Sequence, residues 1–259
     1  MPRKNVTHTG DSWSLLHGDC LDEMSGLAEA NPQGLADLVF ADPPYFLSNG
    51  GMTCSSGKMV SVNKGNWDRS AGVQQNHEFN LAWLALAQRL LKPNGTIWVS
   101  GTHHVIYSVG FAMQQLGFRI INDIIWEKPN PPPNLGCRCF THSTEILLWA
   151  SRTHKSKHYF DYQAMKTENG GKQMKSVWRF KAPGSAEKKH GRHPTQKPVD
   201  LLKRVVQASS REGDLVLDPF CGSGSTGVAA VALGRRFLGI EESGEYCELS
   251  SKRIKEVCK

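Results

Sequence analysis

The stretch from Leu215 to Gly227, Leu-Val-Leu-Asp-Pro-Phe-Cys-Gly-Ser-Gly-Ser-Thr-Gly, constrains the fold of this chain more than any other. Its apolar start reads as a strand buried on both faces, which passes through a glycine-rich turn into an apolar helix, Val228 to Leu233. Gly222, Gly224 and Gly227 satisfy the spacing G-x-G-x-x-G. Glycine lets the backbone approach a ligand closely, and the helix N-terminus that follows supplies free amides. Arg235 to Glu241 then reads as a second strand ending in an acid, at the spacing suited to gripping ribose hydroxyls. A bare glycine pattern says little. With strand, helix, strand and acid in order, it points to a nucleoside cofactor on a parallel α/β sheet.

The rest of the chain supports that class. Apolar runs near 13–17, 37–41, 96–100, 119–126, 144–150, 214–218 and 235–241 alternate with helical patterns, which predicts a seven-stranded mixed sheet of the Rossmann-like α/β class covered on both faces. Glu78 to Leu91 places Phe79, Trp83, Leu86 and Leu90 on one helical face and stops at Lys92-Pro93-Asn94-Gly95. Val105 to Leu116, a helix opened by Pro198, and Glu245 to Val257 complete the helices. Two stretches read as irregular. Phe46 to Gln75, rich in Gly, Ser and Asn, predicts a mobile loop in which Lys64 and Trp67 could touch DNA, although Trp67 could equally be a packing anchor. Residues 128–192 open on Pro129-Asn130-Pro131-Pro132-Pro133, which excludes helix and central strand, and only 144–150 returns to the sheet. The expected division is a catalytic half over 1–127, an inserted basic recognition segment over 128–192, and a cofactor-binding half over 193–259.

Asp42-Pro43-Pro44-Tyr45 follows the apolar run Leu38-Val39-Phe40-Ala41. Two prolines fix φ and supply no amide donors, so carbonyls beside Asp42 can point outward as acceptors for a planar amine. The same residues could also be an ordinary strand-ending turn, with Tyr45 as core. Two further boxes stand in order with these: His17-Gly18-Asp19-Cys20 near the start and His193-Pro194-Thr195-Gln196-Lys197-Pro198 before the glycine-loop strand.

Together these boxes resemble the amino-group DNA methyltransferases dependent on S-adenosylmethionine, of the β class whose D-P-P-Y box precedes the glycine loop. Phe40 to Gly51 and the H-P-T-Q-K-P box are similar, more narrowly, to adenine methyltransferases of GATC-specific restriction systems, notably the type that also modifies single-stranded DNA. The resemblance covers nearly the whole chain and implies a site-specific transfer of methyl to adenine N6, in double- or single-stranded DNA. It makes Asp42, Pro43, Pro44 and Tyr45 catalytic, with Asp42 also beside the cofactor. It places Asp218, Phe220, Gly222 and Gly224 around the cofactor's methionine portion, Ser225 and Thr226 also in the cofactor site, Glu241 on the ribose, and Thr195 and Lys197 on the methionine carboxylate. Asp19 and Cys20 match the box that reads the cofactor's adenine, although Asp19 could equally cap the following helix. Asp42 favours adenine, because cytosine-N4 enzymes of this family usually carry Ser there. The resemblance also allows a homodimer and a cognate restriction endonuclease as functional partner.

In chemical terms, the adenine amine is a poor nucleophile because its lone pair is delocalised into the ring. The Asp42 carboxylate and the Pro43 carbonyl, accepting the two amino protons, would turn that pair toward the sulfonium methyl. An ordinary carboxylate is too weak a base to deprotonate a neutral aryl amine beforehand, so proton loss accompanies or follows transfer and rate comes mainly from alignment. Tyr45 and Phe46 would stack on a base extruded from the duplex.

Charge distribution supports a polyanionic substrate. The net charge is +7, yet residues 127–192 alone hold 13 Lys and Arg against 5 Asp and Glu, leaving the remainder near neutral. Within that segment Arg138, Lys172, Lys175, Arg179, Lys188 and Arg192 are candidate DNA contacts. The seven cysteines have no framework or zinc spacing, which predicts reduced thiols and no metal. No apolar run approaches membrane length, and the start lacks a signal core, so a cytoplasmic protein is expected. Competing readings are a nicotinamide oxidoreductase, an N-methyltransferase acting on RNA or a protein amide, and a catalytically silent DNA-binding protein. The glycine fingerprint falls too late in the chain for a second mononucleotide-binding half, which weighs against the first.

Overall fold

A computed structural model describes residues 6–48, 52–55, 58–61 and 68–258. In chain order the elements are β1 (Val6–Thr9), β2 (Trp13–His17), α1 (Cys20–Ala30), β3 (Ala36–Ala41), β4 (Met52–Ser55), β5 (Lys58–Ser61), α2 (Val73–Leu90), β6 (Leu91–Gly101) and α3 (Ile106–Gln115). They continue with β7 (Arg119–Glu127), β8 (Thr144–Ser151), α4 (Tyr162–Glu168), β9 (Val177–Arg179), α5 (Val199–Ser209), β10 (Leu215–Asp218), α6 (Ser225–Ala232), β11 (Arg236–Glu241) and α7 (Gly244–Val257).

The main sheet runs β1-β2-β11-β10-β3-β6-β8-β7-β9. Its centre from β2 to β6 is parallel, β8 lies antiparallel between β6 and β7, and β1 pairs antiparallel with β2. The central strands are apolar throughout, as burial on both faces requires. Along β3, Ala36, Val39 and Ala41 join a core with α1, α2 and α3, while Leu38 and Phe40 join the core on the opposite face with α5 and α6.

The seven expected strands are all present, but the sheet has nine. The additions, β1 and β9, are edge strands of four and three residues. β9 pairs parallel with β7, so a second piece of the 128–192 segment joins the sheet. The predicted turn at Lys92–Gly95 is instead an irregularity inside β6, where pairing with β3 jumps from Ala36↔Leu91 to Leu38↔Thr96. Within the loop expected at 46–75, β4 and β5 form an antiparallel hairpin and α2 already begins at Val73. Lys64 and Trp67 lie outside the described residues.

The glycine turn is built as its sequence requires. Gly224 caps α6 with φ +73°, and Gly227 brings α6 so near its neighbours that a Cβ there would stand 2.5 Å from Ile254 Cδ1 and 2.6 Å from the Phe237 ring. The chain leaves β10 toward β11 on one side and leaves β3 toward β6 on the other. The carboxyl ends of β10 and β3 therefore flank a topological switch point, where open α/β sheets bind ligands.

Candidate active site

A cleft of about 470 Å³ opens at that point. Asp42, Asp218, Glu241, Asp19, Cys20, Pro44, Thr195, Lys197, Phe220, Ser225 and Thr226 all line it, so boxes as far apart in sequence as Asp19 and Glu241 converge on one cavity.

At one end, Glu241 closes β11. Its Oε2 accepts from Gly222 N at 2.7 Å and its Oε1 from Ser243 N at 2.9 Å, which fixes the carboxylate in the glycine turn. Each oxygen keeps lone-pair capacity for a hydroxyl. Burial nevertheless pushes this carboxyl above its ordinary value. Asp19 caps α1, its Oδ1 accepting from Leu21 N (2.8 Å) and Asp22 N (3.1 Å), while it also lines the cleft. Burial pushes the neighbouring Cys20 thiol up to about 12, so it stays protonated. Arg253, buried beneath the turn, donates to Ser223 O (2.5 Å) and Ser225 Oγ (3.0 Å).

Asp218 ends β10 and is 2% exposed. It accepts from Phe220 N at 3.0 Å, but burial dominates and pushes its carboxyl up to about 7. A buried acid poised there suits a ligand that brings positive charge. Phe220 stands edge-on to Trp83 with centroids 5.3 Å apart, giving the cleft an apolar wall.

At the other end, Asp42 follows β3. Its Oδ1 accepts from Ser100 Oγ (2.5 Å) and Tyr45 OH (2.7 Å), and its Oδ2 from Lys197 Nζ (2.5 Å). Lys197, 5% exposed, also donates to Tyr45 OH at 3.1 Å and lies 3.6 Å from Glu145 Oε2. The Tyr45 hydroxyl is 3.3 Å from that same Glu145 oxygen, and Lys128 pairs with the other, Oε1. Burial opposes the charge of Lys197, but Asp42 and Glu145 outweigh it and hold the ammonium above its ordinary value. Burial likewise pushes Glu145 up, and Lys197 and Lys128 outweigh it, holding the carboxylate below its ordinary value. Burial, with Asp42 and Glu145 adding to it, keeps Tyr45 a neutral phenol.

Tyr45 is packed inward and only 5% exposed. Asp68, fully buried, accepts from Tyr45 N (2.9 Å), Leu47 N (3.2 Å) and Ser48 Oγ (2.9 Å), and Phe46 adopts φ +57°. Lys197 rests on Asp42, and Thr195 pairs through N and Oγ1 with His193 Nδ1 (3.3 Å each).

Sequence reasoning missed Ser100, Asp68, Lys128, Glu145 and His193. Glu145 carried a usable signal, since it is a lone acid in the apolar strand Thr144–Ser151. The basic candidates divide. Arg138 lies in the loop joining β7 to antiparallel β8, and Arg179 ends β9, so both sit at the sheet end that carries Asp42. Lys188 and Arg192 follow β9 toward His193 at the cleft, whereas Lys172 and Lys175 precede it, toward the other end. Among the described residues no cluster of His, Cys, Asp or Glu could hold a metal ion, and no helix is long and apolar enough to cross a membrane.

Comparison with known proteins agrees with the cleft. Residues 36–252 match the family described as DNA methylase. The chain is 53% identical over 241 residues to type II methyltransferase M2.DpnII of Streptococcus pneumoniae, covering 93% of this chain and 88% of that one. Against M2.MboI of Moraxella bovis the identity is 49% over 246 residues, covering 95% and 89%. The solved complex of M1.HpyAVI with SAM superposes with a TM-score of 0.71 at 27% identity, covering 93% of this chain and 98% of that one. A cleft that pairs a ribose-type acid with a buried acid suited to a cation, on a fold shared with a SAM complex, fits S-adenosylmethionine. With the match spanning both the Asp42 box and the glycine turn, the chain belongs to the S-adenosylmethionine-dependent DNA methylases.

Proposed function

We propose that this DNA methylase transfers methyl to the exocyclic N6 of adenine within a short DNA sequence, GATC by its narrower resemblance, in duplex or single strands. The observation that carries this reading is the Asp42 carboxylate, held by three donors at the mouth of the cofactor cleft. S-adenosylmethionine supplies an electrophilic methyl group. Asp42 accepts an amino proton of the target base, localising the nitrogen lone pair, and its charge favours the cationic amine as it forms. Ser100 and Tyr45 fix the orientation of the carboxylate, so that alignment is established before the base arrives. Pro43 and Pro44 rigidify the turn, and the Pro43 carbonyl is the second acceptor. Asp rather than Ser at position 42 is what favours adenine over cytosine.

Glu241 is assigned to the ribose hydroxyls, Asp218 to the cationic part of the cofactor, and Thr195 to its methionine carboxylate, whereas the Lys197 ammonium is engaged by Asp42 and Glu145 instead. DNA is the partner, engaged through the basic 128–192 segment. The setting is cytoplasmic, with a cognate endonuclease as functional partner. Replacing Asp42 with Ala tests the site. At saturating S-adenosylmethionine the variant should lose methyl transfer by roughly a thousandfold or more, the scale of a lost pre-organised electrostatic partner. Transfer at the parental rate would refute the assignment.

A further inference from the structure

Building on the reading just given, we infer that Glu145 is a positioning residue for methyl transfer. It draws the Lys197 ammonium off Asp42, so that the Asp42 carboxylate can accept the target amine. As the chain stands, Oδ1 of Asp42 accepts from Ser100 and Tyr45, and Oδ2 from Lys197. An ammonium seated there occupies an acceptor position and cancels the charge that would stabilise a cationic amine. Lys197 is 5% exposed and cannot retreat into water, and a buried charge must keep a partner.

Glu145 offers that partner. Its Oε2 lies 3.6 Å from Lys197 Nζ, against 2.5 Å for Asp42 Oδ2, so a small displacement exchanges one carboxylate for the other. Tyr45 spans both, 2.7 Å from Asp42 and 3.3 Å from Glu145, and its hydroxyl lies 3.1 Å from Lys197 Nζ. Lys128 engages the opposite oxygen of Glu145, with its Nζ 4.7 Å from the Trp126 ring centre, which leaves Oε2 turned toward Lys197. Two acids and two lysines balance, so the exchange leaves no net buried charge. Neither Glu145 nor Lys128 lines the cofactor cleft, although Lys197 and Asp42 do, so cofactor affinity is measured beside kcat.

The test is steady-state methyl transfer to DNA by the parent, Glu145→Gln, Glu145→Asp, and Lys128→Met combined with Glu145→Gln, with cofactor affinity measured by calorimetry. In Glu145→Gln, kcat should fall by roughly tenfold to a hundredfold, as for a misplaced reacting group, while cofactor affinity and the KM for DNA stay at parental values. Glu145→Asp should recover part of kcat. The double variant restores charge balance and should melt like the parent, yet keep the low kcat because Lys197 still lacks its second berth. Parental kcat in Glu145→Gln, or recovery of kcat in the double variant, would overturn the proposal by reducing Glu145 to a counter-ion for Lys128. An effect confined to the KM for DNA would overturn it too. A parent that transfers no methyl to any DNA would overturn the proposed function itself, and this role with it.

Discussion

At the scale of single residues, the acids of the cleft are set apart by what surrounds them. Burial pushes Asp218 up to about 7 from an ordinary 3.8, so the folded chain holds a proton there that the unfolded chain has released between those values. That contribution to stability is fully present below pH 3.8 and is lost as pH rises through 7. Asp218→Asn should therefore flatten the stability profile between about pH 4 and pH 7, as read by urea denaturation of the cofactor-free protein; an unchanged profile would contradict the assignment. A bound cation favours the ionised form, so S-adenosylmethionine should bind more tightly as pH rises from 5.5 to 7, with proton release visible by calorimetry in buffers of different ionisation enthalpy. The Tyr45 hydroxyl donates to Asp42 at 2.7 Å. Removing a hydrogen bond to a charged group costs about 1.5–3 kcal/mol, so Tyr45→Phe should lower kcat by roughly tenfold or more. Full activity in that variant would show that the ring alone matters.

At the scale of elements, the glycine turn and its helix act as one packed unit. Gly227→Ala must force a methyl against Ile254 and Phe237, an overpacking that costs about 1–3 kcal/mol, readable as a lower denaturation midpoint with unchanged slope. β2, β3, β7, β8, β10 and β11 were legible to within about a residue, because apolar runs bounded by turn residues leave few alternatives. β1 and β9 were not, since a four-residue and a three-residue edge strand carry too little pattern and owe their state to the neighbours they pair with. The Lys92-Pro93-Asn94-Gly95 turn chemistry was read correctly as a break, but tertiary contacts keep it beside the sheet: Pro93 O accepts from Ser156 Oγ at 2.7 Å and Asn94 Oδ1 from Lys157 N at 2.9 Å. Asp19, Asp42, Asp218, Glu241 and the glycine turn of the cleft lining were visible in the motifs, whereas Ser243 and Tyr246 were not. The Lys197–Asp42–Tyr45–Glu145 ring was not, because it joins positions as far as 155 residues apart and no local pattern encodes such a meeting.

At the scale of the whole molecule, the excess of positive charge is concentrated in residues 127–192 and the remainder of the chain is nearly neutral. DNA affinity should fall steeply with salt, linearly on logarithmic axes. Arg138 and Arg179 sit at the strand-end face with Asp42, so neutralising either should reduce the salt slope by about 1. Lys172 and Lys175, toward the opposite end of β9, should leave it unchanged, and fluorescence anisotropy across a salt series separates the two pairs. The most direct test of the account as a whole is the fate of a labelled methyl group. S-adenosylmethionine carrying the label is incubated with the enzyme and unmethylated duplex or single-stranded DNA, and the product is digested to nucleosides and mapped. The account predicts N6-methyladenine confined to one short sequence. Label in N4-methylcytosine, or none in DNA while RNA or peptide is labelled, would contradict it.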